Sequence, residues 1–118
     1  MTDASTPIAR YADLGIRALL TLAFAAAGLF KLIGAEQMVA VFETIGWGQW
    51  FRYATGLIEL GSAALLWVPG LIWIGAALLT ATMACAVLFH LLVLGPSAIP
   101  ALVLGALAAY ILWTHRPA

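Results

Sequence analysis

Three residues in the apolar runs of this sequence carry charge or acid–base chemistry: Lys31 in "GLFKL", Glu59 in "GLIEL" and His90 in "VLFHL". An ammonium, a carboxylate and an imidazole held together can orient a carbonyl and exchange a proton with it. Ionisable residues inside apolar spans are unfavourable, by about 2.5–3.5 kcal/mol on insertion scales, so they face the interior and pair. Lys31 and Glu59 are the natural pair, with His90 able to donate or accept beside them. At ~1.5 Å rise per residue, Glu59 lies roughly 10 Å below the helix start near Phe51, and Lys31 and His90 roughly 3–6 Å below the same surface. The lysine stem bridges that difference. The three residues are therefore expected in one layer on three helices, with Arg52 at its rim and Trp47 and Trp50 above it. Lys31, Glu59, His90, Arg52, Trp47 and Trp50 are the candidate ligand-binding residues. Glu59 and His90 are candidates for proton handling, and no residue is assigned as catalytic.

Each residue also has a plainer reading. Lys31 near a span end can snorkel to the headgroups. Glu59 can serve as a structural ion-pair partner of Lys31 or Arg52. His90 can make a single interhelical hydrogen bond, and Cys85 reads as a small packing residue. Asp13 and Arg17, four apart, read as an exposed helix pair. Glu59 and His90 are too few and too mixed to make a metal site.

The elements that must position these groups are set by composition. Of 118 residues, 65% are hydrophobic and 8% charged, against roughly half and a quarter in soluble domains. The expected solvent is the lipid bilayer. A membrane helix needs about 20 apolar residues, so the length fits a single membrane domain of four spans. The expected fold is all-α, a polytopic four-helix up-down bundle. The expected spans are residues 14–33, 51–68, 71–94 and 98–113, after a polar tail over 1–13 and within one domain over 14–118. The "PG" at 69–70, the "GPSAIP" at 95–100 and the closing "HRPA" are the breakers. The tail has none of the pattern of a cleaved signal peptide. Net charge is zero with no basic cluster, which sets nucleic acid aside. The lone Cys85 rules out an internal disulfide and a CxxC centre.

Between the first two spans, "AEQMVAVFETIGWGQW" places Met38, Val41 or Phe42, and Ile45 at helical spacing. Glu36 and Glu43 fall elsewhere, which predicts a short amphipathic helix at the interface or folded over the bundle. Trp67, Trp73 and Trp113 fall on one membrane face, Trp47 and Trp50 on the other, as an aromatic belt requires. Arg10, Arg17 and Arg116 outnumber Lys31 and Arg52 by one, which places both termini in the cytoplasm and the polar layer near the opposite face. Small residues at Ala101, Gly105 and Ala109, and at Ala23 and Ala27, would let helix backbones approach. "ALLTLAFAAAGLFKL" at 18–32 echoes "ALLTATMACAVLFHL" at 77–91, as two hairpins in parallel repeat would, and sets Lys31 and His90 in corresponding places.

"GLFKL", "GLIEL", "LWVPG" at the turn and "ACAVLFHL", in this order and spacing, resemble the DoxX-like family of small four-helix membrane proteins over roughly Gly15 to Trp113. On that resemblance Lys31, Glu59 and His90 occupy the family's polar positions. The resemblance implies a multi-pass protein of the bacterial inner (plasma) membrane. Some DoxX-type proteins are associated with quinone-linked thiosulfate oxidation or with membrane redox-stress complexes, and related eukaryotic proteins act as membrane assembly factors.

Two functions fit. The first is a redox-associated accessory subunit that binds a quinone, held without a covalent bond, or another small lipophilic molecule. Its partners would be a membrane redox complex or further copies of the chain. No nucleotide fingerprint or cysteine cluster is present, and His90 and His115 fall toward opposite faces, so electrons must come from elsewhere and a self-contained enzyme is not expected. The second is a non-enzymatic assembly or scaffolding factor in which the polar residues fix helix register. A channel fits worst, because below Lys31 only Thr21, Thr80, Thr82 and Ser62 carry hydroxyls, which their own helix backbone can satisfy.

Overall fold

The computed structural model describes residues 6–95 and 97–117. Residues 1–5 of the expected tail, Pro96 of the expected helix break and the final Ala118 lie outside them. Among the described residues there are five α-helices and no strands: α1 (Pro7–Ile33), α2 (Glu36–Ile45), α3 (Trp50–Leu65), α4 (Ile72–Phe89) and α5 (Ile99–His115). One wider π-helical turn, His90–Leu94, continues α4. Two of these helical stretches, Pro7–Ile33 and Ile72–Leu94, are long and apolar enough to cross a membrane.

α1 starts within the stretch expected as a polar tail. Thr6 caps it, its Oγ1 accepting from the Ala9 N–H at 3.2 Å, and Pro7 occupies the first turn, where a missing N–H is harmless. Apolar periodicity marks only the buried part of a helix, whereas the cap sets where the backbone begins to coil. α1 ends at Gly34, whose φ of 73° is open to glycine without strain. The Gly34 N–H bonds back to the Lys31 carbonyl and the Ala35 N–H to that of Phe30, so the chain reverses within two residues into α2. That helix has the expected two faces: Phe42 is buried, Met38, Val41 and Ile45 are half-buried, and Glu36 and Glu43 are exposed.

α4 packs most extensively on α5, α1 on α3, and α3 on α4, while α1 also touches α5. The core these contacts enclose centres on Leu20, Phe24, Leu66, Leu79, Ala108 and Ile111. The small-residue row of α5 runs through Ala101 and Ala108, both buried, and not through Ala109, which is exposed. Spacing by seven keeps a residue on the same helix face, whereas eight begins to drift off it. At Gly105 an added β-carbon would stand 3.1 Å from Met83 Cβ, which marks the α4–α5 approach. Cys85, expected as a packing residue, is exposed on the outside of α4.

Candidate functional site

α1 and α3 approach closely at Gly28 and Gly56. A β-carbon on Gly28 would stand 2.9 Å from the Gly56 carbonyl oxygen, and one on Gly56 would stand 3.0 Å from the Gly28 carbonyl oxygen. Backbone therefore meets backbone, as small residues permit in apolar surroundings. Lys31 lies three residues beyond Gly28 and Glu59 three beyond Gly56, so each shares a helix face with its glycine. The crossing delivers both side chains to one seam.

There Lys31 Nζ stands 2.9 Å from Glu59 Oε1. Glu59 is 2% exposed and the Lys31 side chain 13%. At that distance the two opposite charges attract each other directly. Lys31 turns inward to its carboxylate and does not snorkel. Buried charges persist only when paired, because an isolated one would be driven to neutrality.

Arg52 is 5% exposed and is not at a rim. Its Nε donates to Gln49 Oε1 at 2.7 Å, one terminal nitrogen donates to the Lys31 carbonyl, and its guanidinium lies 4.3 Å from the Tyr53 ring centroid. The last carbonyls of a helix lack intrahelical partners and carry the negative end of its dipole. Arg52 is drawn inward to answer that end of α1. Gln49 Nε2 donates in turn to the Val39 carbonyl at 3.1 Å, so one chain of bonds ties α1, α2 and α3 around the ion pair.

His90 stands apart from this network. It opens the π-helical turn, against which α2 packs. Its Nδ1 is buried with no hydrogen-bond partner among the described residues, although the residue as a whole is only half-buried. Trp47 and Trp50 are 58% and 64% exposed and gather on Phe51. The Trp47 ring lies 5.0 Å from Phe51 and 5.4 Å from Phe89, and Trp50 lies 5.7 Å from Phe51. Phe42 completes the group at 5.6 Å from Phe51. This aromatic cluster joins the end of α2, the start of α3 and the end of α4, one residue before His90.

A second ionic cluster lies at the opposite ends of α1 and α3. Arg17 Nε donates to Asp13 Oδ2 at 2.9 Å, and its NH1 donates to the Leu66 carbonyl at 2.9 Å. Asp13 Oδ1 lies 2.7 Å from His115 Nε2. The guanidinium stacks 4.8 Å from the Trp67 ring centroid, and Trp67 Nε1 donates to Thr21 Oγ1 at 2.7 Å. Asp13 and Arg17 are thus largely buried, with side chains 13% and 12% exposed, where an exposed pair was expected. Thr21, Thr80 and Thr82 each donate to the carbonyl four residues back in their own helix. Ser62 does not: its Oγ is buried without a partner among the described residues.

Reading the sequence for charge missed Gly28 and Gly56, although the signal was present: "GLFK" and "GLIE" place glycine at the same distance before each charged residue. It missed the His115 contact, which spans 102 residues of chain and needs the early start of α1. For the π-helical turn the apolar run carries no signal at all.

Over residues 16–112 the sequence matches the family model described as DoxX-like family. The chain belongs to the DoxX-like family. The match covers α2, α3, α4 and the π-helical turn, and all but the ends of α1 and α5, so Lys31, Arg52, Glu59 and His90 fall within the family's defining region while Asp13 and His115 fall outside it. The DoxX-like family is generally membrane-associated. No curated protein and no solved structure matches this DoxX-like chain at a significant level.

Proposed function

We propose that this protein is a four-span, multi-pass membrane protein with an up-down helix arrangement, and that it binds a quinone or another small lipophilic molecule as the accessory subunit of a membrane redox system. α3 and α5 supply the second and fourth spans, and both termini lie on the cytoplasmic side. The observation that carries the binding reading is His90 Nδ1, a buried polar atom without a partner among the described residues, on a π-helical turn beside an aromatic cluster. π-helical turns occur mostly as single turns and are frequent at functional sites. Buried polar groups are otherwise almost always paired.

The donor set fits a quinone. The ring would lie against Trp47, Phe51 and Phe89, and His90 would meet a carbonyl. Lys31 and Glu59 would maintain the α1–α3 spacing behind it. When bound, a quinone would supply the redox chemistry, and the protein residues would bind and orient it.

The test is mass spectrometry of small molecules that co-purify in gentle detergent, comparing the wild type with Glu59→Gln and His90→Ala. Each variant is first shown to be folded by far-UV circular dichroism and a single elution peak. A lipophile retained by the wild type and lost from His90→Ala supports binding. Equal and empty spectra for all three overturn it.

A second reading, an assembly or scaffolding factor, draws on the other half of the geometry. Lys31, Glu59, Arg52 and Gln49 are engaged with one another, which is how residues that fix helix register behave. Pull-down of the same partner proteins by all three forms, with no lipophile in any, favours this reading.

A further inference from the structure

The two ring nitrogens of a neutral histidine are not equivalent: one carries a proton and donates, the other accepts. In His90 the environment separates them. Nδ1 is hidden and finds no partner among the described residues. The residue is half-buried, and Nε2, which is not among the buried unpartnered atoms and makes no hydrogen bond among the described residues, is the nitrogen left open. Its neighbours along the chain are apolar and outward: Leu88 is 56% exposed, Leu91 70% and Leu92 78%.

A buried N–H without an acceptor is rarer in proteins than a buried acceptor without a donor. A lone pair at the hidden Nδ1 is therefore the less unfavourable arrangement, and it leaves the proton on Nε2. We infer that the ligand-binding form of His90 is the tautomer with Nδ1 as acceptor and the proton on Nε2, and that this N–H donates to the carbonyl oxygen of a lipophilic molecule arriving laterally from the bilayer. The inference deepens the binding reading above and rests on it for the ligand.

The geometry also separates two roles that the sequence merged. Lys31 and Glu59 engage each other at 2.9 Å on the α1–α3 seam. His90 makes no hydrogen bond or ion pair to either among the described residues and stands on another helix, at the end of α4. The ligand-facing donor is His90 alone. Lys31 and Glu59 act on the site only as positioning residues, through the helix spacing they maintain.

Two carbonyl sources exist in a membrane, a quinone and the ester groups of ordinary lipids. The experiment distinguishes them. The protein is labelled with 15N-histidine and reconstituted in nanodiscs of ether lipid, which has no ester carbonyl, and separately of ester lipid. His115→Gln provides the assignment of the His90 resonances. Ubiquinone-2 is then added to each, and its retention is measured in parallel by extraction and chromatography.

The expected result is an acceptor-type Nδ1 and a protonated Nε2 near neutral pH, with ubiquinone-2 shifting the Nε2 resonance in ether lipid. His90→Gln is expected to retain at least tenfold less ubiquinone-2 than the wild type, and Lys31→Met/Glu59→Met to retain it within about threefold, at about 1.4 kcal/mol per tenfold. A shift that appears on moving from ether to ester lipid, with no effect of ubiquinone-2, supports the tautomer and the donation. It assigns the acceptor to lipid and removes the quinone. Retention of ubiquinone-2 that leaves the His90 nitrogens and the His90→Gln variant unaffected overturns this inference while the binding reading stands. A protonated Nδ1, in either the neutral or the charged ring, overturns it outright.

Discussion

Two ionic clusters clamp this molecule near its two ends, and they are built differently. At the α2 end, Lys31 and Glu59 form a two-membered pair, with Glu59 2% exposed and Arg52 closing the backbone beside it. At the other end, Asp13 joins Arg17 and His115, and Arg17 reaches on to Leu66 and Trp67, with side chains 12–20% exposed. The first is deep and joins two helices. The second is shallower and ties α1 to the α3–α4 turn and to the end of α5. Depth decides what a lost partner does: an orphaned charge in the interior keeps its full desolvation penalty, while one near the surface recovers water. Similar pairings therefore carry unequal consequences.

The largest effect is expected at the deep pair. Lys31→Met leaves Glu59 without its cation and should reduce stability by about 3–5 kcal/mol. Replacing both, Lys31→Met with Glu59→Met, should recover most of that loss. Reversible unfolding in mixed detergent micelles measures both. A double variant no better than the single would show that the pair's local field, and not an orphaned charge, sets stability here.

Arg52→Gln comes next, at about 1.5–3 kcal/mol for loss of charged hydrogen bonds. Hydrogen exchange at the end of α1 should quicken with it, because the Lys31 carbonyl loses its side-chain partner. Gly56→Ala should lower stability by about 1–3 kcal/mol through overpacking at the α1–α3 crossing. It should also weaken the Lys31–Glu59 contact without altering either residue. Retained wild-type stability in Gly56→Ala would mean that the helices separate freely, and the unequal depth of the two clusters would lose its cause.

The smallest effect is expected at the shallow cluster. Asp13→Asn should reduce stability by about 1 kcal/mol, because the amide oxygen still accepts one of the hydrogen bonds the carboxylate made, when followed in the same unfolding assay. A loss approaching that of Lys31→Met would equate the two ends and break the comparison.

The two clusters also differ in how far the sequence disclosed them. Lys31 and Glu59 were legible because a charge inside an apolar run must be answered, and few candidates exist to answer it. The amphipathic α2 was legible from its period. Arg52 was misplaced because depth was reckoned along α3 alone, whereas its position is set by the carbonyl end of α1, a tertiary contact. Asp13 and His115 were not joined because neither lies inside an apolar run, so nothing local required a partner. The π-helical turn was invisible for a further reason: it is a change of backbone winding within "VLFHLLVLG", and hydrophobic pattern cannot distinguish the two windings.

The unequal helix lengths have a consequence for the lipid itself. α3 has 16 residues and α5 has 17, which at ~1.5 Å per residue is roughly 24–26 Å of rise. The hydrocarbon of an ordinary bilayer is about 30 Å thick. α1, with 27 residues, reaches roughly 40 Å by the same rise. In the four-span arrangement proposed above, the two short helices therefore set the local thickness. The surrounding bilayer thins to meet them, while α1 tilts or emerges. Mismatch of this kind amounts to fractions of a kcal/mol per Å, enough to enrich short-chain lipids around the protein and to draw it toward thinner regions of the membrane.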